Sequence, residues 1–227
     1  MKKYFGILRE CSLFNEIDDS NIIPMLGCLG ASLKHFEKKE TILSVGSPAN
    51  YIGIVLTGSV QIIQIDYFGN RSIVASILPS ELFGETFACS SAGVMSVDVI
   101  ANEACDIMFI DCQKVLKSCS NACSFHQQII FNLMHILANK NLIFHTKIDI
   151  ISKRTTREKL MAYLLMEAQK HNSNSFEIPY NRQELADYLG VDRSGLSSEL
   201  GRLEREGKLK YKRSHFELLL ENIDKLH

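Results

Sequence analysis

The stretch "YNRQELADYLGVDRSGLSSELGRLEREGKL", from Tyr180 to Leu209, decides the fold of the C-terminal part of the chain. Its first half has the apolar spacing of a short helix over residues 182–189. The residues predicted to share one apolar face are Leu185, Ala186 and Leu189. Gly190 suits the tight left-handed turn that ends a helix, because glycine has no Cβ to clash there.

A second helix is predicted immediately after this turn. Asp192 precedes it and can cap it, because a carboxylate accepts hydrogen bonds from the free N–H groups of the first turn. The predicted buried stripe consists of Leu196, Leu200 and Leu203. The predicted opposite face consists of Arg193, Ser194, Ser197 and Ser198. Two short helices joined by a glycine turn indicate a helix-turn-helix, whose second helix enters the major groove of DNA.

Arg193 is the most informative residue of the predicted outer face. A cation at a helix N-terminus opposes the helix dipole, so its position there calls for a functional reason. Arginine forms a two-pronged hydrogen bond with guanine O6 and N7, and neighbouring serines are small enough to permit close approach. The alternative is an ordinary helical hairpin with a solvated polar face.

Two short strands are predicted after the second helix, over Lys208–Tyr211 and Phe216–Leu219, around the turn "KRSH". A basic hairpin next to a recognition helix is typical of a wing that contacts phosphate. Net charge favours a nucleic-acid partner for this half of the chain only mildly. Residues 1–151 hold 11 Lys+Arg and 14 Asp+Glu, a net −3, whereas residues 152–227 hold 14 and 12, a net +2.

The first half of the chain has a different pattern. Residues 5–34 have helical spacing, with apolar positions at Ile22, Ile23, Leu26, Leu29 and Leu33. From Glu40 to Ile110, short β-branched runs alternate with turn residues, which predicts a small β-sandwich or roll. The predicted strands are "YIGIVL", "SVQIIQI", "SIVASIL", "VDVIA" and "DIMFI".

A long helix is predicted over residues 120–151, which contain no Pro or Gly. It carries two apolar stripes, one through Ile129, Leu133, Ile136 and Ile143, the other through Ile130, Leu133, Leu137, Phe144 and Ile151. Two stripes require two partners, which we interpret as the roll and the same helix of a second chain. The alternative is that both stripes pack within one subunit. The polar run "SKRTTREKL", residues 152–160, is the best domain boundary.

Composition excludes several classes of protein. The chain has 227 residues, of which 46% are hydrophobic and 22% charged, and it has neither an apolar run long enough to span a membrane nor a predicted secretory signal. Its seven irregularly spaced cysteines do not resemble a disulfide framework, which predicts reduced thiols and a cytoplasmic protein. It contains no nucleophile elbow, P-loop or HExxH motif, so we do not expect an enzyme.

Taken together, the motifs resemble those of the Crp/Fnr family of bacterial transcription regulators over nearly the whole chain. In the roll the resemblance rests on "CSLFNEID", on "GSPANYIGIVLTGSVQIIQIDYFGNRSI" and on "LPSELFGE". In the second domain it rests on "NRQELADYLGVDRSGLSSELGRLEREGKL". It implies an α+β protein with an N-terminal jelly roll of the cyclic-nucleotide-binding type (1–117), a dimerisation helix (118–151) and a winged helix-turn-helix (152–227).

The family resemblance also implies roles for individual residues. Arg193 matches the base-reading arginine, and Arg182 and Gln183 match positions that touch phosphate. Ser194 and Ser198 stand where many members have glutamate and arginine, so a different half-site is expected. The residues expected at DNA are Arg182, Gln183, Asp192, Arg193, Ser194, Ser197, Ser198 and Arg202. The expected partners are a palindromic double-stranded operator, a second copy of the chain, RNA polymerase and an unknown small-molecule effector.

The effector pocket is expected around Gly84, Glu85, Thr86, Met95 and Ser96. Members that bind cyclic AMP have an Arg-Ser pair where this chain has Met95-Ser96, and no Lys or Arg occurs between Arg71 and Lys114. A buried phosphate needs a cation, so control by an effector other than cyclic AMP, or by none, is expected. No cofactor is expected.

An alternative is a regulator that responds to metal, haem or redox state through Cys119, Cys123 and His126. These residues are spaced i, i+4 and i+7 and would share one helix face. The competing interpretation is that the cysteines are small apolar residues in a packing contact.

Overall fold

The computed structural model describes residues 2–116 and 124–219. Its contacts divide the chain into two units, one of Met1–Asn70 and Val74–Leu142, the other of Arg71–Ile73 and Ile143–His227. Among the described residues, no helix is both long and apolar enough to cross a membrane. The described helices are α1 (Phe5–Glu10), α2 (Asp19–Cys28), α3 (Glu85–Ala88), α4 (Cys112–Leu116), α5 (Ser124–Ser152), α6 (Thr156–His171), α7 (Arg182–Leu189) and α8 (Arg193–Arg205).

Two four-stranded antiparallel sheets form the roll, with strand orders β1-β8-β3-β6 and β2-β7-β4-β5. Its strands are β1 (Ser32–Phe36), β2 (Thr41–Leu43), β3 (Tyr51–Thr57), β4 (Val60–Ile65), β5 (Arg71–Ile77), β6 (Leu82–Phe83), β7 (Asp98–Ala101) and β8 (Cys105–Asp111). A third sheet, β10-β11-β9, is built from β9 (Ser175–Glu177), β10 (Leu209–Lys212) and β11 (His215–Leu218). The five predicted runs all form strands, and the predicted α+β class is confirmed.

Strand β3 is buried on both faces. Ile52, Ile54 and Leu56 belong to the apolar core shared with the helices of the first unit, whereas Val55 belongs to the core between the sheets. Alternate residues of a strand point to opposite faces, so five consecutive buried residues mean that both faces are covered. Gly53 leaves room for Phe83, because a Cβ at this glycine would lie 2.2 Å from the end of the Phe83 ring.

The prediction that residues 5–34 are helical is wrong at residues 15–18, which lie between helices, and at its end. Gly30 has a φ of +65°, and the N–H of Ala31 donates to the carbonyl of Leu26, an arrangement that ends α2. Leu33 then lies in β1, opposite Met108 of β8, and is 41% exposed. The spacing of Leu33 from the preceding leucines fits a helix, but the glycine turn overrides it.

The two stripes predicted for α5 do not divide between two partners as expected. Ile129, Leu133 and Ile136 of the first stripe are buried in the core of the first unit, but Ile143 is 63% exposed. In the second stripe Ile130, Leu137 and Phe144 are half-buried, and Leu137 packs against that same core. Of the six exposed large apolar side chains of α5, only Ile143 and Ile151 belong to the predicted stripes; the others are Phe131, Met134, Leu142 and Ile148.

The second unit begins a new helix at the predicted break. Helix α5 ends at Ser152, and α6 starts after Thr155, whose hydroxyl accepts from the N–H of Glu158 while the Glu158 carboxylate accepts from the N–H of Thr155. This capping box fixes the start of α6. The boundary between the two units falls earlier than this break, between Leu142 and Ile143. The division of the chain into the ranges 1–117, 118–151 and 152–227 stays a prediction.

Candidate nucleic-acid interface

Both helices of the predicted helix-turn-helix begin at side-chain caps. At α7, Asn181 Oδ1 accepts from the N–H groups of Gln183 (3.0 Å) and Glu184 (3.1 Å), and the Glu184 carboxylate accepts from the N–H of Asn181 (2.8 Å). This capping box was not predicted, although the Asn-x-x-Glu spacing signals it. Helix α7 covers Arg182–Leu189 and ends at Gly190 in the left-handed conformation, with a φ of +60°, as predicted.

Asp192 caps α8, as its position predicted. Its Oδ2 accepts from the N–H of Gly195 at 2.9 Å and from the hydroxyl of Ser194. These hydrogen bonds, the Ser194 hydroxyl first, hold the pKa of Asp192 below its usual value. The Ser194 hydroxyl therefore donates to the cap, and its oxygen can still accept a hydrogen bond from another donor.

Helix α8 places its leucines on one side and most of its polar residues on the other; Glu199 is the exception, with its side chain only 16% exposed. Leu196, Leu200 and Leu203 are fully buried. The side exposed to solvent carries Arg193, Ser194, Ser197, Ser198 and Arg202. Among the described residues no carboxylate lies within ion-pair distance of Arg193, whereas Arg202 pairs with Glu199 at 3.0 Å. The positive charge at the start of α8 is therefore available to a ligand, and the charge at its end is partly neutralised.

Arg182 and Gln183 are both engaged within the protein. The Arg182 guanidinium lies over the ring of Tyr211, 4.9 Å from its centroid, and 5.9 Å from that of Phe216. Burial is the main cause that lowers the pKa of Arg182. Gln183 Nε2 donates to Asp187 Oδ1 at 2.8 Å. Arg182 thus ties α7 to the hairpin β10–β11 as a half-buried cation–π contact, a role that the sequence did not indicate.

The predicted wing is a hairpin, with Leu209 opposite Leu218 and Lys212 opposite His215. Its turn is Arg213-Ser214, with Arg213 at a φ of +56°. An open groove of about 500 Å³ lies between this turn and the start of α7. It is lined by Ile178, Pro179, Tyr180, Asn181, Arg182, Arg213 and Ser214. Two arginines from opposite sides give this groove a positive character.

The residues expected at an effector pocket fall into two groups. Gly84, Glu85 and Thr86 form the β6–α3 junction, where Gly84 has a φ of +81° and the Thr86 hydroxyl donates to Glu85 Oε1 at 3.2 Å. Met95 is buried among the apolar residues between the sheets, and Ser96 is exposed. Gly84, Glu85 and Thr86 are therefore neighbours at one junction, whereas Met95 is a core residue and Ser96 is exposed to solvent.

Glu85 forms a buried ion pair that the sequence did not predict. Its side chain is 2% exposed, and its Oε1 lies 2.9 Å from the Lys140 ammonium of α5, which also donates to the carbonyl of Leu82 at 2.5 Å. Counting cations only between Arg71 and Lys114 misses Lys140, because it reaches the junction from a distant helix. The Lys140 charge is already neutralised by Glu85, so Lys140 gives the junction no uncompensated positive charge.

Of the proposed cysteine–histidine cluster, only His126 lies within the described residues. Cys119 and Cys123 lie outside the described residues. His126 is 7% exposed, and its Nε2 lies 3.2 Å from the carbonyl oxygen of Lys114. Within residues 2–116 and 124–219, no group of three or more His, Cys, Asp or Glu side chains is placed to hold a metal ion.

Two family models match the chain. The first, a cyclic nucleotide-binding domain, matches residues 33–122, and the second, a Crp-like helix-turn-helix domain, matches residues 158–227. Among curated proteins, the nitrogen fixation regulation protein FixK of Bradyrhizobium diazoefficiens is 23% identical, over 77% of this chain and 73% of its own length. The transcriptional activator protein FnrL of Cereibacter sphaeroides is 22% identical, over 77% of this chain and 71% of its own length.

Solved structures show the same fold. FixK2 of Bradyrhizobium japonicum superposes with a TM-score of 0.67 at 21% identity, covering 84% of this chain and 93% of its own. The global regulator CLP of Xanthomonas campestris superposes with a TM-score of 0.70 at 16% identity, covering 90% of this chain and 100% of its own. The roll and the helix-turn-helix are thus each matched by a family model, in that order along the chain. The chain belongs to the Crp/Fnr family of DNA-binding transcription regulators.

Proposed function

We propose that the protein acts in the cytoplasm as a homodimer that binds a palindromic DNA operator with its two α8 helices. The observation that carries this proposal is the outer face of α8, where exposed Arg193 stands beside small serines above fully buried leucines. In a helix-turn-helix dimer, the two recognition helices enter successive major grooves about 34 Å apart. The residues proposed at the DNA interface remain those predicted from the sequence, with a changed role for Arg182.

The structure suggests different tasks for these residues. Arg193 would read a guanine edge, and Ser197 and Ser198 would contact bases or phosphates nearby. Arg182 would position the wing instead of acting as a free phosphate ligand, because its guanidinium is stacked on Tyr211. The exposed basic side chains Lys212 and Arg213 of the wing would supply phosphate contacts.

Selection from a random duplex library tests this proposal and identifies the operator in the same experiment. Wild-type protein should enrich an inverted repeat, and Arg193→Ala should lose sequence preference while it retains salt-dependent binding. Loss of a bidentate base contact costs about 1–3 kcal/mol. Lys212→Ala is the matched control, expected to weaken binding to all sequences and reduce the salt slope by about one. Enrichment of the same repeat by Arg193→Ala would refute the assignment.

Helix α5 supports the homodimer. Five large apolar side chains on it are exposed by more than half: Phe131, Met134, Leu142, Ile143 and Ile148. Exposed apolar residues gathered on one helix indicate an interaction surface, and a second copy of the same helix is the occupant that we propose. Met134→Glu should convert the protein to a monomer in sedimentation velocity. Phe68→Glu, at an exposed aromatic residue in the β4–β5 turn, should leave the oligomeric state unchanged.

We further propose that the effector is not cyclic AMP, or that none is needed. Met95 packs into the core where a phosphate-binding arginine would be required, and Lys140 is already paired with Glu85. A buried phosphate without a compensating cation is costly. Isothermal titration should therefore detect no cyclic AMP binding, and an affinity in the micromolar range would contradict the proposal. Contact with RNA polymerase is part of the proposal and is testable by in vitro transcription from the selected operator.

A second candidate is control by metal or haem through His126 with Cys119 and Cys123. The observation that favours it is His126 Nδ1, which is buried and makes no hydrogen bond to any described residue. An imidazole nitrogen in that state is available as a ligand. Metal analysis of the purified protein tests this candidate. The wild type must contain stoichiometric iron or zinc, and His126→Ala must lose that metal. A metal-free protein that still binds its operator would exclude this candidate.

A further inference from the structure

Two cysteine thiols are in contact inside the roll. The Sγ atoms of Cys89 and Cys112 lie 3.4 Å apart. A disulfide bond is about 2.05 Å long, so the sulfurs must approach by only about 1.4 Å to become bonded. Cys89 follows α3 and is partly exposed, whereas Cys112 begins α4 and is buried. One member of the pair is thus reachable from solvent.

The backbone holds both cysteines in place. The N–H of Cys89 donates to the carbonyl of Glu85 at 2.8 Å, within the last turn of α3. The N–H of Cys112 donates to the carbonyl of Asn50 at 3.0 Å, next to the start of β3. Because both Cα positions are fixed by ordered elements, side-chain rotation supplies most of the movement that bond formation needs.

We propose that Cys89 and Cys112 form a redox-active dithiol, which a hydroperoxide converts to an intramolecular disulfide. One thiolate attacks the peroxide O–O bond, which leaves a sulfenic acid on its sulfur and releases hydroxide. The second thiol attacks that sulfur, the S–S bond forms, and the S–O bond breaks with release of water. The cysteines lose two electrons to the peroxide, and an external thiol restores them by exchange.

The remaining described cysteines lack these features. Burial raises the pKa of Cys11 to about 12 and that of Cys105 to about 11, which keeps both as unreactive thiols. At the pair, the hydrogen bond between the two thiols lowers the pKa of Cys112 and raises that of Cys89, so Cys112 supplies the thiolate. Cys28 is exposed but makes no contact with another described cysteine. Contact between sulfurs therefore distinguishes the pair from every other described thiol.

The position of the pair links it to α5. Cys89 lies one helical turn after Glu85, whose carboxylate pairs with Lys140 of α5. The part of the approach of about 1.4 Å that side-chain rotation does not supply must come from the end of α3, and that small movement would act on this ion pair. On the proposed function, oxidation should change operator affinity, and this part of the inference rests on that function.

The experiment treats reduced full-length protein with a small excess of hydrogen peroxide and maps the bonds by mass spectrometry. Trypsin alone leaves Cys89, Cys105 and Cys112 on the fragment 72–114, because no Lys or Arg lies between Arg71 and Lys114. Adding a protease that cleaves before aspartate separates them into fragments 72–97, 98–105 and 111–114. We expect fragments 72–97 and 111–114 to be joined, and dithiothreitol to separate them.

Variants complete the test. Wild type should lose two of its seven thiols on peroxide treatment, whereas Cys89→Ser, at the less buried position, should keep all six of its own, and so should Cys112→Ser. Cys28→Ser is the matched control and should still form the bond. Oxidation should change the affinity of wild type for its selected operator at least threefold, but not that of Cys89→Ser.

Each outcome decides a separate part. Absence of the joined fragments while other cysteines are oxidised would overturn the dithiol. Joined fragments with unchanged operator affinity would overturn its regulatory role. A reduced protein that selects no operator would refute the proposed function, while the fragment map would still decide the dithiol.

Discussion

Removing the ammonium of Lys140 should destabilise the roll more than removal of any exposed cation. Lys140→Met leaves the Glu85 carboxylate, 2% exposed, without its counter-ion, and leaves the Leu82 carbonyl without a donor. The other carboxylate oxygen, Oε2, is buried and has no hydrogen-bond partner among the described residues, so little remains to stabilise the charge.

The magnitude follows from distance and burial. At 2.9 Å and an effective dielectric constant of 20, two unit charges attract by about 6 kcal/mol before desolvation is subtracted. Removal of one partner of a buried pair costs about 3–5 kcal/mol, because the remaining charge is uncompensated. The Lys140 side chain retains 22% exposure, so we expect a loss near the lower limit, about 3 kcal/mol of the free energy of unfolding.

The assay is urea unfolding followed by circular dichroism. The slope of the free energy of unfolding against urea checks that each variant exposes the same surface on unfolding. The double variant Glu85→Gln/Lys140→Met should regain most of the loss, since it leaves no buried charge. Lys153→Met is the matched control, because Lys153 pairs with Asp149 where the side chains are 39% and 68% exposed. A loss in Lys140→Met as small as that in Lys153→Met would refute this reasoning.

Three further predictions concern the second unit. Asn181→Ala removes the acceptor for two N–H groups of α7 and should lower the free energy of unfolding by about 1 kcal/mol, whereas Asn181→Asp should retain it. The Arg157 guanidinium lowers the pKa of Glu206 to about 2, so the pair stabilises the fold above the ordinary carboxyl pKa and this contribution disappears as pH falls toward 2; Arg157→Gln should flatten that dependence in urea midpoints. Burial lowers the pKa of Lys147 to about 8, so above this pH the unfolded chain binds more protons than the folded chain. The free energy of unfolding should therefore rise by roughly 2 kcal/mol from pH 8 to 9.5 in wild type but not in Lys147→Met.

The helix-turn-helix was predictable because its determinants are local. A glycine at the turn, an aspartate before α8 and leucines at helical spacing each act within a few residues, and the structure places Gly190, Asp192 and Leu200 as expected. Local signals also misled in one place, where Leu33 continues a helical spacing but pairs in β1 after the turn at Gly30.

The features that the sequence could not indicate depend on contacts between distant residues. Lys140 reaches Glu85 across 55 positions, and Arg182 stacks on Tyr211 across the hairpin, so neither partner is marked by spacing. The apolar pattern of α5 was visible, but which side remains exposed depends on how the first unit covers Leu133 and Leu137. The contact of Cys89 with Cys112 likewise requires the folding of β7 and β8 between them.

The double burial of β3 has a consequence for the order in which the roll opens. Its backbone amides are shielded from water on one side by helices and on the other by the second sheet. Deuterium should therefore reach the central amides of β3 only when the whole unit unfolds, whereas the turn at Tyr67 and Phe68, whose side chains are largely exposed, should exchange early.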